Sequence, residues 1–91
     1  MSVSIIIVPG WRDSGPGHWQ SLWADSLPGA QRVVQDDWVS PNRQAWVGAL
    51  AQLILQVPGP VVVVAHSLGC MTVAHLPQVA SARIQGALLV A

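Results

Sequence analysis

The chain has 91 residues, of which 52% are hydrophobic and 9% charged, and its formal net charge is zero. Such a composition belongs to a packed globular protein and excludes a disordered one. Its basic side chains are four arginines with no lysine; they offer no basic stripe for phosphates, so nucleic acid is not an expected partner.

The acids are Asp13, Asp25, Asp36 and Asp37, with no glutamate. Cys70 stands alone, which leaves no internal disulfide and no cysteine-based zinc cluster. No metal or cofactor is expected, and a reducing, cytoplasmic setting is. The first apolar run has no basic residue before it and is too short for a signal-peptide core. No segment approaches the ~20 apolar residues that span a bilayer, so membrane association is not expected either.

In chain order, residues 5–8 form a short continuous apolar run closed by Pro9 and Gly10, which predicts a buried strand of a parallel sheet. A Gly/Pro-rich loop follows. Trp19, Leu22, Trp23 and Leu27 then fall at helical spacing, up to Pro28 and Gly29. Residues 32–35 predict a second, shorter strand nearer an edge. Ser40 followed by Pro41 has the form of a helix N-cap with proline at the first helical position. Trp46, Leu50, Leu53, Ile54 and Val57 continue as an apolar helical stripe, which Pro58, Gly59 and Pro60 stop. Residues 61–65 predict a third strand, residues 68–76 a helix broken at Pro77, and residues 84–91 a fourth strand. This alternation implies a parallel sheet with helices on both faces. The last run, residues 86–91, is apolar with no turn residue after it, and a free carboxylate inside a buried strand is costly. The expectation is therefore that the chain is part of a larger domain.

In a doubly wound sheet, ligands sit beyond the carboxyl ends of the strands, near the point where strand order reverses. The loops at residues 9–18, 36–41 and 65–68 leave such ends. In the last of them Ala65-His66-Ser67-Leu68-Gly69 has the form of a nucleophile elbow, G-x-S-x-G, with alanine in place of the first glycine. The elbow holds its serine on a sharp strand-to-helix turn, where the flanking residues must be small because strand and helix approach closely. There the Leu68 N–H and the helix N-terminus would face developing negative charge. A plain turn with Ser67 as an N-cap is the competing reading. The glycine loop after the first strand fails as a nucleotide cradle: Gly10 to Gly15 has P-loop spacing but is followed by Pro16, and the dinucleotide pattern from Gly15 lacks its last glycine. A hydrolase would instead use this loop for a second oxyanion donor, the backbone N–H of Trp11.

Of the histidines, His66 adjoins Ser67 but faces differently on a tight turn, which favours a structural role. His75 lies eight residues after Ser67, about 12 Å along a helix at ~1.5 Å per residue, and is out of reach. His18 is on the correct edge, with a helix-start or pocket-lining role preferred to that of a base. For Asp36 and Asp37, capping and loop hydrogen bonds are the simpler reading. Cys70 fits as a small residue packed under the elbow.

Taken together, the Val8-Pro9-Gly10-Trp11 turn, the Ser14-to-Gln20 segment, Gln35-Asp36-Asp37-Trp38 with Pro41, and Val64 to Cys70 make the chain resemble the small α/β-hydrolases of the YdeN and retinoblastoma-binding-protein-nine type. The resemblance runs end to end. It implies a three-layer α/β fold with local strand order 2-1-3-4, truncated after the fourth strand, in which residues 1–91 are the N-terminal half of one domain. It further implies a serine hydrolase acting on a small-molecule ester or amide. Ser67 is the expected nucleophile and Trp11 and Leu68 the oxyanion donors. His18, Trp19, Asp36, Asp37 and His66 are the candidate pocket residues. In that fold the acid and histidine follow the serine along the chain. After Ser67 there is no Asp or Glu, and the only histidine is His75, so the triad acid and base are expected beyond Ala91. A non-catalytic, hydrolase-like binding scaffold is the alternative. Self-association through the sheet edge is the expected consequence of truncation.

Overall fold

The computed structural model describes residues 3–10, 18–27 and 29–90. In chain order the elements are β1 (Ser4–Val8), α1 (Trp19–Ser26), β2 (Gln31–Arg32), α2 (Arg43–Gln56), β3 (Val61–His66), α3 (Leu68–Ala74), α4 (Gln78–Ser81) and β4 (Ile84–Val90). The strands form one parallel sheet in the order β2-β1-β3-β4. β1 and β3 are neighbours in register from Ser4 opposite Val61 to Val8 opposite Ala65. Strand order reverses between them, so the crevice expected from topology lies between Val8 and Ala65.

Alternation along the strands sorts the core. Ile6 and Val8 with Val61, Val63 and Ala65 form one buried cluster with Leu50, Ile54 and Val57 from the α2 side. Ile7 and Val64, also buried, are on the opposite face. The stripe expected for α2 holds: Trp46, Leu50 and Ile54 are its buried residues, and Leu53 is half-buried. Arg83 closes the other end of that helix. Its guanidinium donates to the carbonyls of Ile54, Val57 and Gly59 at 2.7, 2.8 and 2.8 Å, which satisfies groups that a helix end leaves open.

Several boundaries differ from expectation. The N-cap of α2 is Asn42, not Ser40, and Asn42 Oδ1 accepts from Ala45 N at 3.0 Å. β2 starts and stops earlier, at Gln31–Arg32, with Val33 N still donating to the Ile7 carbonyl at 3.0 Å. Its segment is held to β1 by few bonds, so residues beyond Val33 peel away. The helix after the elbow ends at Ala74, and the short α4 follows Pro77. Leu22 and Trp23 are 52% and 41% exposed, whereas Gln20 and Ser21 are the buried residues of α1. The helix therefore presents a polar side chain to the sheet, for a reason that the site makes plain. Among the described residues no helix is long and apolar enough to cross a membrane.

Candidate active site

Ser67 joins β3 to α3 with φ 55° and ψ −123°, and is the only non-glycine residue with positive φ among those described. These angles match the first central position of a type II′ turn, a place that favours glycine. A serine held there carries strain of order 1–3 kcal/mol. The hydroxyl does not cap the helix: Ser67 makes no side-chain cap hydrogen bond. Ser67 is thus the N-cap of α3 by position, without a side-chain capping bond. Its backbone is anchored instead, with Ser67 N donating to the Val90 carbonyl at 2.8 Å and Cys70 N donating to the Ser67 carbonyl at 2.9 Å. Leu68, next along, is the first residue of α3, where the helix provides no carbonyl for its N–H.

Two glycines bring the end of β1 against this turn. A Cβ on Gly69 would collide with the backbone carbonyl oxygens of Val8 and Pro9. A Cβ on Gly10 would lie 2.8 Å from the His66 carbonyl oxygen and 3.1 Å from both Leu68 N and Ser67 Cβ. The backbone leaving β1 is thus in van der Waals contact with the elbow, and only residues without a side chain fit. Trp11 lies outside the described residues.

The start of α1 covers the same corner. His18 is the N-cap of α1, its Nδ1 accepting from Gln20 N at 3.1 Å. The Nδ1 of His18 is thereby engaged in capping α1. The helix-start reading agrees with this geometry. His18 and His66 meet edge to face with centroids 4.7 Å apart, and Trp19 stands 6.0 Å from His66. Three of the five candidate pocket residues are therefore brought together beside Ser67.

Asp36 and Asp37 are not part of that cluster; they line a separate cavity of about 270 Å³ with Gln35 and Trp46. Asp37 Oδ1 accepts from Ser40 N and Val39 N at 2.9 and 3.0 Å. The Ser40 N–H first, and then that of Val39, hold its carboxyl below the ordinary aspartate range. This is the loop hydrogen bonding read from the sequence. Cys70 is half-buried, its Sγ 3.5 Å from the Val90 carbonyl. His75 is the C-cap of α3, and its ring Nδ1 is 2.8 Å from the Met71 carbonyl.

Sequence reasoning missed two features. One is Gln20, fully buried, whose Nε2 donates to the carbonyls of Val8 at 3.2 Å and Val64 at 3.0 Å. The other is a cavity of about 280 Å³ whose lining includes Pro41, Trp46, Leu68, Met71, Thr72 and His75. The recurrence of Leu68, Met71, Thr72 and His75 at helical spacing was legible, but not that α2 would leave space against it.

The sequence matches the serine hydrolase family over residues 5–91, and the chain belongs to that family. Among solved structures it is similar to one described as a YdeN-like hydrolase, from Pectobacterium atrosepticum, with 33% sequence identity and a TM-score of 0.87. The match covers 96% of this chain and 47% of that one, so the chain spans about half the length of this relative. No curated protein sequence matches the chain.

Proposed function

We propose that the chain carries the nucleophile half of a hydrolase that cleaves a small ester or amide through an acyl-serine intermediate. The observation that carries this reading is Ser67 itself: a non-glycine residue at φ 55° on a strand-to-helix turn, with a hydroxyl not engaged in capping. Ser67 Oγ bonds to the substrate carbonyl carbon, and its proton passes to a general base. The tetrahedral oxygen takes the Leu68 N–H, with the Trp11 N–H as second donor. Collapse expels the alcohol or amine, which takes up a proton, and water then attacks the acyl-serine to release the acid. The apolar cavity that includes Leu68, Met71 and Trp46 accommodates the acyl side of the substrate, and His18, Trp19 and His66 line the other side of the nucleophile.

The base and its orienting acid are proposed to come from the part of the fold that the relative has and these 91 residues do not. His18 is committed to its helix, and His75 lies at the far end of α3. Residues 1–91 are then the N-terminal half of one α/β-hydrolase domain. The lone half-buried thiol of Cys70 suits a cytoplasmic setting.

The test, run on residues 1–91 joined to the half of the fold proposed to supply the base, is acyl transfer from a chromogenic short-chain ester, read by mass spectrometry and by release of the chromophore. An acyl group on Ser67, lost in Ser67→Ala, supports the hydrolase. Binding of an ester analogue that is indifferent to the hydroxyl, with no acyl adduct, would instead identify a binding scaffold.

A further inference from the structure

α1 buries a carboxamide where an apolar side chain is the ordinary choice. Gln20 is fully buried, and burying an amide is costly unless its hydrogen bonds are made. Its Nε2 makes two, to the carbonyls of Val8 and Val64. Those residues belong to different strands, one at the end of β1 and one near the end of β3. Ile7 directs its carbonyl to the β2 side, where Val33 N donates to it, so the alternation of a parallel ladder turns the Val8 carbonyl toward β3. Gln20 therefore bridges the seam between the two strands at the crevice.

The Val8 carbonyl has a second neighbour. It is the group with which a Cβ on Gly69 would collide, so the first turn of α3 rests on it. Two residues further, Gly10 rests against Leu68 N and Ser67 Cβ. One contact chain thus runs from the Gln20 carboxamide to the Val8 carbonyl, to Gly69, and to the Leu68 N–H beside Ser67.

We propose that Gln20 is a positioning residue for the site: by fixing the Val8 carbonyl across the β1–β3 seam, it sets where α3 begins and so where the Leu68 N–H stands relative to the Ser67 hydroxyl. This rests on the reading of Ser67 as nucleophile. Gln20 touches no reacting atom. Its removal displaces a donor, and a displacement of ~1 Å at a reacting centre costs on the order of 100-fold in rate.

The experiment uses residues 1–91 joined to the half of the fold proposed to supply the base, and follows phosphonylation of Ser67 by an alkyl fluorophosphonate in that parent, Gln20→Met and Gln20→Asn. Methionine keeps the length and loses both donors; asparagine keeps the amide and falls short, and being smaller it guards against a variant that fails to fold. Arg83→Met serves as control, since it removes the cap of α2 away from the elbow. The saturated labelling rate should fall roughly 10- to 100-fold in both Gln20 variants, with little change in the concentration of probe at half-saturation. The amide resonances of Gly10 and Leu68 should shift with it. Arg83→Met should lower the melting temperature and leave the labelling rate and both resonances alone. If the parent is labelled at Ser67 and the folded Gln20 variants react at the parental rate, Gln20 only stabilises the fold and the proposal is overturned. If the parent is not labelled at Ser67, the nucleophile reading itself fails and this inference falls with it.

Discussion

At the scale of single residues, the turn at Ser67 sets stability against chemistry. A serine at φ 55° and ψ −123° occupies glycine's place, and strain there is of order 1–3 kcal/mol. Glycine would relieve it, less roughly 0.5–1 kcal/mol for its greater freedom in the unfolded chain. Ser67→Gly is therefore expected to stabilise the protein by about 1 kcal/mol in urea denaturation while removing the proposed nucleophile. Ser67→Ala, which keeps the Cβ, should gain nothing comparable. Equal stability of the two variants would mean that the turn is unstrained. Asp37 offers a second test. Its carboxyl is held low by the N–H groups of Ser40 and Val39, so the folded state prefers the ionised form. The stability this supplies is complete above the unfolded value, about 3.9, and is lost as pH falls through the lower folded value. The stability gap between the parent and Asp37→Ala should thus be present at neutral pH and shrink in acid. Because the carboxyl is exposed, the gap is expected to be small. A gap that widens in acid would contradict the assignment.

At the scale of elements, the contact between β1 and α3 decides whether the site exists. Gly69→Ala places a methyl group against the Val8 and Pro9 carbonyls, and neither backbone can yield without moving the crevice. The expected cost is about 1–3 kcal/mol, as for other overpacked sites. An exposed glycine such as Gly48, with nothing near its Cβ position, should tolerate alanine and gain from its helix propensity, by up to ~1 kcal/mol. Matching urea midpoints for the two variants would refute the close approach. Much of this layer was readable in advance. The apolar runs at residues 5–8 and 61–65 and the stripe from Trp46 to Val57 give their own period, so β1, β3 and α2 followed from composition and spacing. The small residues around Ser67 carried the close strand-to-helix turn. What escaped was decided by tertiary contact. The phase of α1 buries Gln20, whose Nε2 donates to two strand carbonyls, while Leu22 and Trp23 stayed half exposed. The cap of α2 passed to Asn42, whose side chain reaches Ala45 N. Arg83 gave no local signal, since its three acceptors lie 24 to 29 residues earlier.

At the scale of the whole molecule, the four-stranded sheet presents β4 as an edge, with Leu88 and Leu89 42% and 53% exposed. A seven-residue apolar edge strand is a template for pairing with another chain. Residues 1–91 on their own are therefore expected to self-associate, with their mass by light scattering rising with concentration and falling when Leu89 is replaced by lysine; a monomer at all concentrations would contradict this. The same sheet supports the proposed site, since the order reverses between β1 and β3 and Ser67 leaves that crevice. The central claim is that this one hydroxyl, among the eight serines of residues 1–91, is the nucleophile, and peptide mapping after fluorophosphonate treatment of the protein that also carries the base-bearing half tests it most directly. The account predicts a single adduct on Ser67, absent from Ser67→Ala, with exposed serines such as Ser26, Ser40 and Ser81 untouched. An unmodified Ser67, or an adduct distributed over the exposed serines, would contradict it.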